Sequence, residues 1–307
     1  MRHFLDITDL TVDELAVVLA LSEAPVASLG RPLDGQGVAL IFEKPSNRTR
    51  QSTEMAVVQL GGHPVYTRGE EVGFDTREPV EDIARIMSGY HALLAARVFD
   101  HAVVARLAAA ASVPVVNMLS DRSHPLQGLA DTLTMQQVLG PLAGLTIAYV
   151  GDHNNVSRSL AEAAVMLGAH VRLGCPAGYD ASDDELARID ALGPGSVEQF
   201  ADPSTAVRGA VVVHTDTWTS MGQEAEKAAR TEIFGRYQVN ADLMAVAGDG
   251  SGSGSGDAYF MHCLPAYRGL EVTDDVIEGD RSLVWRQGHN RMHTARGVMA
   301  FLMGVRP

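Results

Sequence analysis

Cysteine is almost missing from this chain: among 307 residues only Cys175 and Cys263 occur. Two thiols cannot build a disulfide framework or a four-cysteine zinc site, and a reducing cytoplasm is the expected setting. Positive charge is scarce too. Lys and Arg total 24 against 38 Asp and Glu, a formal net charge of −14. A nucleic-acid binder needs a broad basic face against the phosphate backbone, so that class is disfavoured, whereas a small basic pocket is not. No apolar run is long enough to span a bilayer, and Arg2, His3 and Asp6 interrupt any leader-like opening. Neither a membrane partner nor a secretory signal is therefore expected. What the chain does have is core: 46% of its residues are hydrophobic and 20% charged, over a length that suits two α/β domains.

The stretch Ser46-Asn47-Arg48-Thr49-Arg50 anchors the reading. It follows an apolar run, residues 38–42, that predicts a buried parallel strand, and it precedes a helical pattern over 51–60. Hydroxyls and guanidiniums thus fall where a strand gives way to a helix. A helix N-terminus offers unpaired N–H groups and a partial positive charge, and arginine grips oxyanions as a planar fork. The stretch suits a phosphate or a carboxylate. A capped helix with arginines in solvent would use the same residue types.

The junction recurs along the chain. Thr11 and Glu14 predict a capping box ahead of a packing helix. Residues 68–79, polar and broken by Gly69 and Gly73, predict a mobile loop. Residues 92–98 predict a buried strand ending at Arg97, whose charge must face a ligand or an acid. A helix starting at Pro125 sets His124 at its N-terminus and Gln127 a turn inside, where both can donate to one oxygen. Near Gly140-Pro141 the pattern restarts, which marks the expected domain boundary.

In the second half, residues 145–150 predict a strand, 151–155 a turn and 156–168 a helix, but the dinucleotide fingerprint G-x-G-x-x-G is absent. Asn154 and Asn155 stand where a pyrophosphate would approach, so a polar small-molecule site is expected instead. The strand 210–215 delivers Asp216 either to a ligand crevice or to a helix cap. Residues 248–257 read as a Gly/Ser linker without chemistry. The strand 258–261 ends in His262-Cys263-Leu264-Pro265, where Cys263 could be nucleophile, ligand or inert thiol, and a last helix opens at Asn290. Strands alternating with helices through both halves predict two doubly wound parallel sheets.

Taken in order, residues 46–50, Arg97, His124-Pro125-Leu126-Gln127, 151–155, 216–222, His262-Cys263-Leu264-Pro265 and Asn290-Arg291-Met292-His293 resemble the aspartate/ornithine carbamoyltransferase family, most closely its ornithine branch. The resemblance spans nearly the whole chain. It implies an α/β fold of two doubly wound parallel-sheet domains with the active site in the interdomain cleft. Residues 1–139 would bind carbamoyl phosphate, 140–287 would bind ornithine, and 288–307 would form a helix packing back on the first domain. The implied reaction moves a carbamoyl group from carbamoyl phosphate to the δ-amine of L-ornithine, giving L-citrulline and phosphate, with no metal and no organic cofactor.

Carried over residue by residue, the resemblance gives Ser46, Asn47, Arg48, Thr49, Arg97, His124 and Gln127 to carbamoyl phosphate, with Cys263, Leu264 and Arg291 as its wall from the second domain. It gives Asn155, Asp216, Ser220 and Met221 to ornithine, and the chemistry to Arg48, Thr49, Arg97, His124 and Cys263. It also implies a homotrimer, or a multiple of trimers, in which a loop near 68–79 reaches a neighbour's site. The chain departs from the pattern at three places: Asn47 replaces a threonine, Leu126 replaces a cysteine, and the 68–79 loop lacks the usual glutamine, Glu71 or Gly73 falling nearest. The rival readings are an aspartate carbamoyltransferase, which usually has proline at Cys263, and carbamoyltransferases of putrescine or acetylated ornithine. A non-catalytic carbamoyl phosphate-binding relative is a further one.

Overall fold

The computed structural model describes residues 2–219, 224–247 and 258–307; Ser220, Met221 and the Gly/Ser stretch 248–257 lie outside the described residues. Contacts divide the chain into two units, Met1–Leu133 with His289–Pro307, and Thr134–Gly288. Among the described residues, no helix is long and apolar enough to cross a membrane.

In the first unit β1 (Gly37–Phe42), β2 (His63–Arg68), β3 (Leu93–Arg97) and β4 (Val115–Leu119) form a parallel sheet in the order β2-β1-β3-β4. The helices are α1 (Val12–Glu23), α2 (Asn47–Gln59), the single turn α3 (Gly69–Val72), α4 (Val80–Tyr90), α5 (His101–Ala110) and the start of α6 (Pro125–Leu139). The apolar runs become strands because both faces are covered. Every residue of β3 and β4 is buried, and Ala39 and Ile41 of β1 share a core with Ile83 and Ala84 of α4 and Val104 and Leu107 of α5. Burial of a side chain such as Ile41 is worth roughly 1.5–3 kcal/mol. The expected capping box starts α1: Thr11 Oγ1 accepts from the Glu14 amide at 3.3 Å, and Glu14 Oε2 accepts from the Thr11 amide at 2.9 Å.

The segment 68–79 is more structured than its polarity predicts. Val72 and Phe74 are buried in the same core, Gly73 ends α3 at a φ of +61°, and Asp75 pairs with Arg106 at 2.7 Å. Two apolar anchors outweigh seven polar neighbours because burial, not average composition, decides whether a segment is held. Glu71 turns back within 3.8 Å of the Arg68 guanidinium.

The second unit takes the rest of α6, then β5 (Thr146–Val150), α7 (Asn155–Met166), β6 (His170–Gly174), α8 (Asp183–Asp190) and β7 (Ser196–Phe200). α9 (Pro203–Val207), β8 (Val212–Thr215), α10 (Lys227–Phe234), α11 (Ala241–Val246), β9 (Tyr259–His262) and α12 (Asp274–Ile277) follow. Its sheet is parallel throughout, in the order β7-β6-β5-β8-β9. Ile147 and Tyr149 of β5 pack with Leu160 and Val165 of α7 and Ile189 of α8, whereas Ala148 and Val150 pack with Val207 of α9, Phe234 of α10 and Leu243 of α11. Alternate residues of one strand thus serve two cores, so helices cover both faces.

The last helix, α13 (Val284–Leu302), begins before Asn290 because Val284 is already buried in the second unit's core. From His289 onward α13 belongs to the first unit, where it lies close against α1. A Cβ on Gly297 would collide with Ser22 and with the Val18 carbonyl, and Arg296 donates to the Ser22 and Ala24 carbonyls at 2.7 and 3.1 Å.

Sheet order positions the chemistry. In the first unit the chain runs from β1 out to β2, then returns to lay β3 on the other side of β1. In the second it runs β5, β6, β7 and returns to lay β8 beside β5. Each reversal opens a crevice beyond the carboxyl ends of the strands that flank it, where open α/β sheets bind ligands.

Candidate active site

At the first unit's reversal, Ser46 caps α2. Its Oγ accepts from the Thr49 amide at 3.4 Å and lies 3.1 Å from the Thr49 hydroxyl. Thr49, 1% exposed, is the hub: its Oγ1 accepts from Arg97 Nη1 at 3.1 Å and from Arg291 Nη2 at 3.2 Å. Arg97 stands at the end of β3, where pairing with β4 slips between Ala96 and Arg97, and Arg291 comes from α13. Arg291 Nη1 also donates to Gln127 Oε1 at 2.6 Å, and Gln127 Nε2 donates to Asp131 Oδ1 at 2.6 Å. Two buried guanidiniums therefore converge on one neutral hydroxyl beside a helix N-terminus. An oxyanion is the ligand that such a group of donors favours most.

His124 is buried at the start of α6. Burial first, and then the charges of Arg291, Arg97 and Lys44, hold its imidazole well below the usual histidine range. It is neutral at physiological pH, able to donate one N–H without carrying charge. Asn47 and Arg48, on the first turn of α2, are exposed, and Asn47 Oδ1 accepts from Gln51 Nε2 at 3.1 Å.

At the second unit's reversal, Asn154 caps α7 and Asn155 is the helix's first residue. Asp216 follows β8, is 6% exposed, and receives one donor on each oxygen: Cys263 Sγ on Oδ1 at 2.9 Å and Asn154 Nδ2 on Oδ2 at 3.0 Å. Arg230 ties the loop after β8 to the turn after β5, donating to the Trp218 carbonyl and to Asp152. The Cys263-Leu264 turn is braced by His262, whose Nδ1 accepts from the Leu264 amide at 2.9 Å while Nε2 faces Glu271 Oε1 at 3.2 Å. That brace holds Leu264 at a φ of +59°, a region that a branched side chain rarely enters. Asp216, His262 and Cys263 have ligand atoms within 4.8 Å of one another, but His262 Nδ1 is taken by the Leu264 amide and Nε2 by Glu271, which makes the imidazole a strut.

The structure thus gathers Ser46, Thr49, Arg97, Gln127 and Arg291 in the first unit, with His124 under the field of two of them; Arg291, expected from the second domain, belongs to the first because α13 joins that unit from His289 onward. In the second it gathers Asp216 and Cys263, with Asn155 at the neighbouring helix start and Leu264 in the cysteine's own turn. Ser220 and Met221 are outside the described residues. The sequence assigns Asp131 no role, and it sets Asn154 in a polar site without showing its partner. Asp131 was findable, because it lies one helical turn from Gln127. Asn154 meets Asp216 across 62 residues, which only the order of the strands makes adjacent.

Family models match both halves of the chain. The carbamoyl-P binding domain of aspartate/ornithine carbamoyltransferase matches residues 2–137, and the Asp/Orn binding domain matches residues 143–302. The chain is 46% identical to the ornithine carbamoyltransferase of Acidothermus cellulolyticus over 99% of its own length and 97% of that protein. It is 43% identical to the anabolic ornithine carbamoyltransferase of Pyrococcus furiosus, over 99% and 96%. The solved structure of the Pyrococcus furiosus ornithine carbamoyltransferase superposes with a TM-score of 0.92 at 42% identity, covering 99% of this chain and 98% of that one. With both domain models satisfied in order and a full-length match at this identity, the chain belongs to the aspartate/ornithine carbamoyltransferase family.

Proposed function

We propose that the chain transfers the carbamoyl group of carbamoyl phosphate to the δ-amine of L-ornithine, giving L-citrulline and phosphate. The observation that carries this reading is the opposite polarity of the two strand-end crevices. Arg97 and Arg291 meet at Thr49 in one, and the Asp216 carboxylate is fixed beside the Cys263 thiol in the other. One suits a phosphate, the other an ammonium.

In this reading Ser46, Asn47, Arg48, Thr49 and Arg97, with the N–H groups of α2, hold the phosphate. Arg48, Thr49 and the neutral His124 hold the carbamoyl oxygen, with Gln127 fixed by Arg291 and Asp131, and with Cys263, Leu264 and Arg291 as the remaining wall. Asn155 reads the α-carboxylate of ornithine, Asp216 its α-ammonium, and Ser220 and Met221 complete the acceptor site. The neutral δ-amine attacks the carbamoyl carbon, a C–N bond forms and charge gathers on the carbonyl oxygen. Collapse then breaks the C–O bond to phosphate, and the departing phosphate takes the proton that the amine loses. Donors placed before the reaction stabilise that oxyanion without reorganising. Direct attack needs no covalent enzyme intermediate, so Cys263 acts by placing the amine.

We assign carbamoyl phosphate binding to residues 1–139, ornithine binding to 140–287 and the return helix to 288–307, in a homotrimer of the cytoplasm working in arginine biosynthesis. Exposed Met55 and Val58 on α2 and Val65 on the edge strand β2 support contact between copies, and free Cys175 and Cys263 support a reducing compartment. The test is ureido-product formation from carbamoyl phosphate with ornithine, putrescine, acetylornithine or aspartate supplied separately. Product with ornithine alone supports the proposal. Product with another amine moves the specificity and keeps the mechanism. No product with any acceptor overturns the catalytic reading.

A further inference from the structure

We infer that Asn154 is a positioning residue for the acceptor amine, acting through Asp216; the inference rests on the reading of Asp216 as the partner of ornithine's ammonium. An Asn amide has two ends, and here each has one job. Oδ1 accepts from the Val156 and Ser157 amides at 2.9 and 3.1 Å, which caps α7. Nδ2 donates to Asp216 Oδ2 at 3.0 Å. The orientation is forced by chemistry: the flipped amide would aim its N–H groups at two backbone donors and its oxygen at a carboxylate.

The Ser157 hydroxyl accepts from the Asn154 amide at 2.9 Å and sits 3.1 Å from His153 Nδ1, so the backbone of Asn154 is held as well as its side chain. The last torsion of an Asp side chain is broad and roughly two-fold, so the plane of a carboxylate at a strand end is not set by its own backbone. With Cys263 on Oδ1 and Asn154 on Oδ2, the plane of Asp216 is set, and each oxygen keeps a lone pair for a further donor. A helix start rigidly capped by Asn154 is thereby coupled to the group that receives the amine.

Two substitutions separate the cap from the clamp. Ser, Asn and Asp are comparable helix caps. Asn154→Ser keeps a cap and removes the donor to Asp216. Asn154→Asp keeps the cap and sets a second carboxylate against Asp216, where like charges disfavour each other's ionised form. A purely capping role leaves Asn154→Ser near wild type. The positioning role predicts a KM for ornithine about tenfold higher in Asn154→Ser, the scale of one lost hydrogen bond to a charged group, and a larger rise in Asn154→Asp. In Asn154→Ser, which adds no charge, the melting temperature and the KM for carbamoyl phosphate stay near wild type. Wild-type ornithine KM in Asn154→Asp overturns the inference. Asp216→Asn is measured alongside. If it raises the ornithine KM while Asn154→Asp does not, only the role of Asn154 fails. If Asp216→Asn also leaves that KM unchanged, the reading of Asp216 fails.

Discussion

The two strand-end crevices are built alike and charged oppositely. Both lie where a parallel sheet reverses its winding, and in both a polar cap opens a helix just after the first strand: Ser46 ahead of α2, Asn154 ahead of α7. In the first unit the flanking strand ends in a guanidinium, Arg97, and in the second it is followed by a carboxylate, Asp216. The fold supplies the crevice and the N–H groups, and the side chain after the flanking strand decides what charge is held. A helix dipole alone favours anions at both places. The second unit fills that place with a carboxylate of its own, Asp216, braced on both oxygens, so that what the crevice holds next is a cation.

The largest expected effect breaks the comparison on the anion side. Arg48→Ala should lower kcat/KM for carbamoyl phosphate by about 10²–10³-fold, the scale of a lost donor to a developing oxyanion. Steady-state kinetics showing near-native turnover would remove Arg48 from the site. Thr49→Val, nearly isosteric, deletes the hydroxyl that accepts from Arg97 and Arg291 and leaves both buried donors without it. Each lost hydrogen bond to a charged group costs about 1.5–3 kcal/mol, so turnover should drop by about ten- to a hundredfold together with a lower melting temperature. An unchanged KM for carbamoyl phosphate would show that the hub is not part of the site.

A smaller effect follows from His124. Its folded-state pKa is depressed, first by burial and then by the nearby cations, so below the ordinary histidine value of about 6.5 the unfolded chain binds a proton that the folded chain refuses. The stability tied to neutral His124 is fully present above that pH and is lost as pH falls below it, by at most about 1.4 kcal/mol per pH unit. Urea unfolding at stepped pH should show His124→Gln losing less stability than wild type between neutral and mildly acid conditions. Parallel curves would place a charged imidazole in the folded protein. The smallest effect is Ser46→Ala, which removes the cap of α2 and should cost about 1 kcal/mol in thermal unfolding. No loss would mean that α2 needs no side-chain cap, unlike α7.

Much of the fold was legible because its signals are local. A strand covered on both faces must be apolar along its buried length, and 38–42 and 147–150 read that way. Caps are legible because a short polar side chain bonds a backbone two or three residues on, as Thr11 does. The edge strand β7 was not legible. Only Val197 of its five residues is buried, which leaves too little periodicity to read. The segment 68–79 was misread for a related reason: two anchors, Val72 and Phe74, fix it among polar neighbours.

The sequence by itself determined which residue types stand at each strand-to-helix junction, and hence that one crevice would be cationic and the other acidic. Covalent neighbours set that order, and no packing can alter it. Only the tertiary structure decided which junctions meet. Thr49 collects Arg97 from 48 residues away and Arg291 from 242, and Asn154 reaches Asp216 across 62. Those meetings depend on strand order and on the path of α13, which follow from the packing of whole faces. No local pattern encodes them, because a strand's apolar run is the same whichever neighbour it takes.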